Sequence, residues 1–337
     1  MIELKNDNLV FSFPELHPQA NFSINFQRTL RIPDDDREYP LPPGLGSFPL
    51  FHVDDYLKKV PGKWNEQGGV MFPMHQSEAL WLNFVNNSGS FPYPFAVKIA
   101  TGKINAVNGE LWNDKLHKKP QDYIVVPDQP WLDGYSIGEG IIRQFVAMPL
   151  GAGYSAEEQI SDKDEYGGIQ LIVYPMKKEI YEKYLSEKQD LQMDYICESR
   201  VYTEKTLDMG LAPGGKMTQS IEKDSYENNC WDLNNSSRCF IHIANSLDWK
   251  TITETKPPQM PPTAKEYSEK GLPWFDYYDE KQNRLGGSFV LNKLKSVFAM
   301  GKEKRKMSLP ENESVNPKNI KKIRKNLKKN QVREENF

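Results

Sequence analysis

Between residues 21 and 32 the chain alternates. Phe22, Ile24, Phe26, Leu30 and Ile32 fall on one side, and Ser23, Asn25, Gln27, Thr29 and Arg31 on the other. A period of two sustained over this length predicts a half-buried β-strand, with Arg28 as the break in its apolar side. Runs rich in Val, Ile, Phe and Tyr predict further strands at 70–74, 95–99, 123–126, 141–148, 169–174 and 239–244. Strand runs and Pro, Gly or Asp turns alternate most tightly over 121–175. Few helical stretches separate these runs, which favours antiparallel pairing over βαβ units.

Helices are expected at the periphery. Thr263-Ala-Lys-Glu266 has the spacing of a capping box, and Gly271 followed by Leu272-Pro273 supplies a stop. Ser288 can cap a helix reaching about residue 300, with Leu291, Leu294 and Phe298 on one face. Residues 176–193 carry Ile180, Tyr184, Leu185 and Leu191 at helical spacing, which suits a helix lying on the sheet. Pro257 to Pro262 reads as an extended strap. The fold class predicted is α+β, mainly antiparallel β in a sandwich or partly closed barrel, with a few peripheral helices.

Charge divides the chain. Residues 302–337 hold 12 Lys or Arg and 5 Asp or Glu, whereas residues 1–301 hold 31 and 41. The expected organisation is therefore one β-rich body over 1–301 and a basic tail over 302–337, disordered or transiently helical. If helical, Ile320, Ile323 and Leu327 would form a narrow apolar stripe. Lys321, Lys322, Arg324, Lys325, Lys328 and Lys329 would then be available for weak, salt-sensitive contact with an anionic membrane or nucleic acid. No apolar run approaches the ~20 residues of a membrane span. The first residues, Met-Ile-Glu-Leu-Lys, do not read as a secretory signal. With Cys197, Cys230 and Cys239 unpaired by any motif, a reducing cytoplasmic setting is expected.

Each candidate for chemistry also has a plainer structural role. Cys230, His242 and Asn245 could form a nucleophilic set, but buried structural thiols fit better. His17, His52, His75, His117 and His242 are scattered without metal-ligand spacing. Asp34 to Asp36 reads as a solvated turn, and Asp54 as the cap of a short helix before Pro61. Gly210-Leu-Ala-Pro-Gly-Gly-Lys-Met-Thr218 resembles a phosphate-binding loop but has Met217 where a hydroxyl is required; it and Gly151–Gly153 read as turns. Glu78, Asp133, Glu157, Glu158 and Asp276 lie near aromatic residues, as carboxylates do in carbohydrate sites. Trp81, Trp131, Trp231 and Trp274 are expected to anchor the core.

Polar residues that interrupt apolar runs stand out most: His75, Gln76 and Glu78, and then Arg143 and Gln144. A charge entering a core needs a partner, so Arg143 is expected to pair with Glu78 or Asp133. His75, Glu78, Asp133, Arg143 and Gln144 form the candidate polar cluster, structural or ligand-binding.

Five segments carry a resemblance: Val70-Met-Phe-Pro-Met-His-Gln-Ser-Glu-Ala-Leu-Trp81, Gln129-Pro-Trp-Leu-Asp-Gly134, Arg143-Gln-Phe-Val-Ala-Met-Pro-Leu-Gly-Ala-Gly-Tyr154, Asp208-Met-Gly-Leu-Ala-Pro-Gly-Gly215 and Gly271-Leu-Pro-Trp-Phe-Asp-Tyr277. They resemble an uncharacterised family of microbial proteins over about residues 41–300. The resemblance implies a shared fold and carries over no functional residue.

With no cofactor or metal constellation visible, the leading expectation is a non-catalytic cytoplasmic protein that binds or assembles with a small molecule or protein partner. Unpaired sheet edges leave an oligomer open. The competing expectation is a hydrolase acting on a carbohydrate or small ester through paired carboxylates, drawn from Glu78, Asp133 and Asp276.

Overall fold

A computed structural model describes residues 1–86, 91–188, 208–278, 284–304 and 312–324. Among these residues, two mostly antiparallel sheets face each other, and neither closes into a barrel. The larger, ten-stranded sheet runs in the order Ile2–Lys5, Asn8–Ser12, Asn21–Thr29, Ala79–Val85, Ile141–Pro149, Met209–Thr218, Glu38–Tyr39. Short strands Gly44–Ser47, Trp131–Leu132 and Gly134–Gly138 branch from it. The seven-stranded sheet runs Ile104–Asn105, Phe95–Thr101, Ile169–Pro175, Ser237–Asn245, Val70–Met74, Phe51–His52, with Ile124–Val126 beside Phe95–Thr101.

The expected α+β class, dominated by antiparallel sheet, is observed. The core lies between the sheets and is closed by aromatic contacts across them. Phe22 meets Phe95 at 4.6 Å between ring centroids, and Phe26 meets Phe72 at 5.1 Å. Tyr135 and Thr101 exchange a hydroxyl hydrogen bond of 2.7 Å between the sheets. The polar side of Asn21–Thr29 is covered as well as the apolar side. Asn25 donates to Asn8 Oδ1, and Gln27 donates to Asn25 Oδ1 and Ser47 Oγ, so amides satisfy one another under cover.

Several local expectations are corrected. Met209–Thr218, read as a turn, is a buried strand antiparallel to Ile141–Pro149. Its glycines permit close approach: a Cβ on Gly214 would lie 2.6 Å from Val146 Cγ2, and one on Gly215 would lie 2.3 Å from Pro33 O. The register slips here, so that Gly214 and Gly215 oppose Gln144 in a β-bulge. The helix expected over 288–300 is two short ones, Phe289–Asn292 and Val297–Glu303, because Ser296 caps the second as Ser288 caps the first. Asp54 lies inside the 3-10 turn Val53–Tyr56 and does not cap it. Asp34 is buried rather than solvated. Trp231 and Trp274 are core residues, but Trp81 and Trp131 are half-buried; Trp64 and Trp249 fill a second core cluster. The helix Lys178–Lys188 sits as expected, with Leu191 outside the described residues.

Residues 312–324, placed by composition in the basic tail, lie along the body. Asn312 Oδ1 accepts from Asp34 N, Ser314 Oγ donates to Asp35 Oδ2 at 2.6 Å, and Val315 is buried. Ile320–Arg324 is a strand, not a helix, and pairs in parallel with Trp274–Tyr278. Lys321 and Lys322 are exposed on it, whereas Lys325, Lys328 and Lys329 lie outside the described residues.

Candidate functional site

The chain passes from one sheet to the other between Val70–Met74 and Ala79–Val85, and His75-Gln76-Ser77-Glu78 makes that crossing. Glu78 N closes the turn on His75 O at 3.1 Å, and Ser77 takes a φ of 69°. Ser77 N bonds Ala147 O and Ala147 N bonds Glu78 O, tying the turn to Ile141–Pro149. A cleft of about 520 Å³ opens over this turn. Its other walls are Arg31, the proline strap at Met260, Pro261 and Pro262, and the start and end of the helix Ala264–Glu269.

Glu78 is buried and does not meet Arg143. Its partner is Arg28, which donates from Nε and approaches with Nη2, both 2.6 Å from Oε1; Glu78 Oε2 accepts His75 N at 2.9 Å. Burial raises the Glu78 pKa, against the opposing pull of Arg28 and the His75 N–H. Arg28 Nη2 also donates to Gln259 O at 2.6 Å, and His75 Nε2 bonds Pro258 O at 2.9 Å. A carbonyl only accepts, so His75 carries its proton on Nε2. Burial and the Arg28 charge push the His75 pKa down to about 4, leaving the ring neutral at physiological pH. Arg28 and His75 thus hold the strap against the turn. The signal for Arg28 was present in the sequence as the break in an apolar alternation.

Arg143, expected to pair with Glu78 or Asp133, is half-buried and pairs instead with Asp34, at 3.2 Å from Nη1, with Gly214 O at 3.1 Å. Gln144 is wholly buried and grips the segment after Asn21–Thr29: its Oε1 accepts Ile32 N at 3.0 Å and its Nε2 donates to Leu30 O at 2.9 Å. Those two bonds flank Arg31. Arg143 and Gln144 therefore fix residues 30–34 and set Arg31 in the cleft wall, although neither lines the cleft. Asp133 lies apart from it, with its backbone N–H bonded to Gln219 Oε1. Its carboxyl is buried with Oδ2 lacking a hydrogen-bond partner among the described residues, and desolvation pushes its pKa up to about 7.

The remaining candidates have structural surroundings. Glu158 completes a capping box on Ala156–Ser161, and buried Glu157 accepts the backbone N–H groups of Tyr166 and Gly167. Asp276 is half-buried on the strand Trp274–Tyr278. Cys230 and Cys239 are free and buried, with burial pushing both thiols up to about 12, the opposite of an activated nucleophile. Cys239 and His242 share the strand Ser237–Asn245, and His242 stacks on Trp64 and bonds Gly68 O. Among the described residues no group of three or more His, Cys, Asp or Glu is arranged to hold a metal ion, and no helix is long and apolar enough to cross a membrane.

Comparison with protein-family models, with curated proteins and with solved structures finds no match to this chain. The site must be read from its own geometry.

Proposed function

We propose that this is a non-catalytic cytoplasmic binding protein whose small ligand occupies the cleft between His75–Glu78, Arg31 and the proline strap. The observation that carries this reading is the convergence there of a crossover turn, a clamped arginine and an anchored strap around about 520 Å³, within the range of roughly 300–1,000 Å³ usual for small-molecule sites. The titratable groups are engaged in building the cleft: both Glu78 oxygens accept hydrogen bonds, and His75 is neutral and tied to Pro258 O. This favours binding over acid–base turnover by Glu78. The free, buried Cys230 and Cys239 support a reducing compartment.

Gln76 is exposed on the cleft wall, so Gln76→Trp fills the space without entering the core. The test is native mass spectrometry of purified wild-type and Gln76→Trp protein before and after incubation with a metabolite extract. A small molecule retained one-to-one by the wild type and lost in the variant is expected. Equal retention by both proteins, or turnover of an ester or glycoside panel that Glu78→Gln abolishes, would overturn the reading.

A further inference from the structure

The loop from Ile104–Asn105 to Ile124–Val126 holds a group of titratable side chains that takes no part in the cleft. Asp122 has a side chain 1% exposed, and its Oδ2 accepts Lys98 Nζ at 2.6 Å. Lys98, equally buried on the strand Phe95–Thr101, also donates to Asn113 Oδ1 and Lys115 O. With a buried ammonium against it, Asp122 stands as a carboxylate, which only accepts hydrogen bonds. Its Oδ1 accepts His117 N at 2.8 Å, and its Oδ2 lies 2.8 Å from His117 Nδ1. Nδ1 therefore carries a proton, and the neutral ring keeps its lone pair on Nε2.

The far edge of that ring looks outward. The His117 side chain is 42% exposed while the carboxylate behind it is buried, and Nε2 has no partner among the described residues. The other histidines lack this combination. Nδ1 of His17 accepts Gln19 N, and Nε2 of His75 and of His242 is bonded to a backbone carbonyl. His52 is exposed, and no carboxylate orients its ring among the described residues.

An imidazole with Nδ1–H fixed by a carboxylate presents Nε2 as a base or a nucleophile in the right tautomer. No hydroxyl or thiol among the described residues is bonded to Nε2 for it to deprotonate, so the chemistry is that of Nε2 itself. The charges nearby suit an anionic reagent. Over residues 113–122 each carboxylate has a cation: Asp114 pairs with Arg238 and Asp122 with Lys98, while Lys118 is matched by Asp224. Lys115 and Lys119 are exposed and form no ion pair among the described residues, which leaves this loop positive.

We propose that His117 is a phosphoryl-acceptor site, modified on Nε2 by a small donor with a good leaving group, a phosphoramidate or an acyl phosphate. The Nε2 lone pair attacks phosphorus and the P–N bond forms. The bond from phosphorus to the leaving amine or carboxylate breaks, and the leaving group departs with that electron pair, an amine in protonated form. Nδ1 keeps its proton and its bond to Asp122.

The test is incubation of the full-length protein with phosphoramidate and, separately, with acetyl phosphate. Mass spectrometry locates the phosphohistidine, and phosphorus NMR reads which nitrogen carries it. Phosphate on Nε2 of His117 is expected, formed at least about tenfold faster than at His52. The faster donor names the leaving-group class. Asp122→Asn should slow the reaction at His117 by about tenfold or more, whereas His52→Gln should leave it unchanged. Asp122→Asn strands Lys98 in the core, and should that variant fail to fold, the nitrogen and the rate ratio in the wild type decide. Phosphate on Nδ1 of His117, equal rates at His117 and His52, no reaction at His117 with either donor, or a folded Asp122→Asn protein reacting at the wild-type rate would each overturn the proposal.

Discussion

Arg28→Met keeps much of the side chain's volume and removes its charge, leaving Glu78 ionised in a place where its side chain is 1% exposed. Stranding one partner of a buried ion pair costs about 3–5 kcal/mol. Gln259 O also loses a charged donor, a contact of about 1.5–3 kcal/mol. The two losses share one guanidinium and do not add in full, so a total near 4–6 kcal/mol is expected. Urea unfolding near neutral pH, with Glu78→Gln and the double variant completing a cycle, separates the pair from the strap contact. The coupling energy between Arg28 and Glu78 should reach about 2 kcal/mol or more. The cost of Arg28→Met should shrink as pH falls, because Glu78, whose pKa burial already raises, then takes up a proton instead of standing as a bare charge. A cost below about 1 kcal/mol with additive single variants is what an exposed pair would give, and it would refute the argument that this pair builds the cleft.

Two further outcomes follow from buried groups elsewhere. Asp133 has a folded-state pKa raised from 3.8 to about 7, so the folded protein holds a proton that the unfolded chain releases. Its contribution is present in full below the ordinary carboxylate range and is lost as pH rises through about 7. Asp133→Asn should therefore gain stability relative to wild type over that window in pH-dependent melts, and parallel profiles would show that the carboxyl is solvated. Gly215→Ala would press a Cβ to 2.3 Å from the Pro33 backbone and disturb the segment that carries Arg31. A loss of about 1–3 kcal/mol in urea unfolding is expected. Gly301→Ala, with no atom within 4 Å, should stay within about 0.5 kcal/mol, and equal melting of the two variants would count against the close-approach account.

Local pattern determined much of this protein. Alternation at 21–32 and the apolar runs at 70–74, 95–99, 141–148, 169–174 and 239–244 locate strands, because side-chain period and strand geometry are properties of a few consecutive residues. The capping boxes at Ser155 and Thr263 are local for the same reason. The same logic marked His75, Glu78, Arg143 and Gln144 as polar residues that a core must accommodate.

Tertiary structure decided who accommodates them. Glu78 lies 50 residues from Arg28, Arg143 lies 109 from Asp34, and Gln144 lies 112 from Ile32. Partner choice over such separations depends on strand order and register, which alternation does not encode. The strand Met209–Thr218 was hidden for a related reason: its glycines make room for the Pro33 backbone and the Val146 side chain, and a close approach is invisible until both segments are in place. Ile320 and Ile323 read as part of an apolar helix stripe by spacing, yet Ile320–Arg324 pairs with Trp274–Tyr278, because a strand partner supplies hydrogen bonds that an isolated short helix of this composition does not. Composition and period are summed along the chain. The cleft and the Arg28–Glu78 pair that builds it exist only across it.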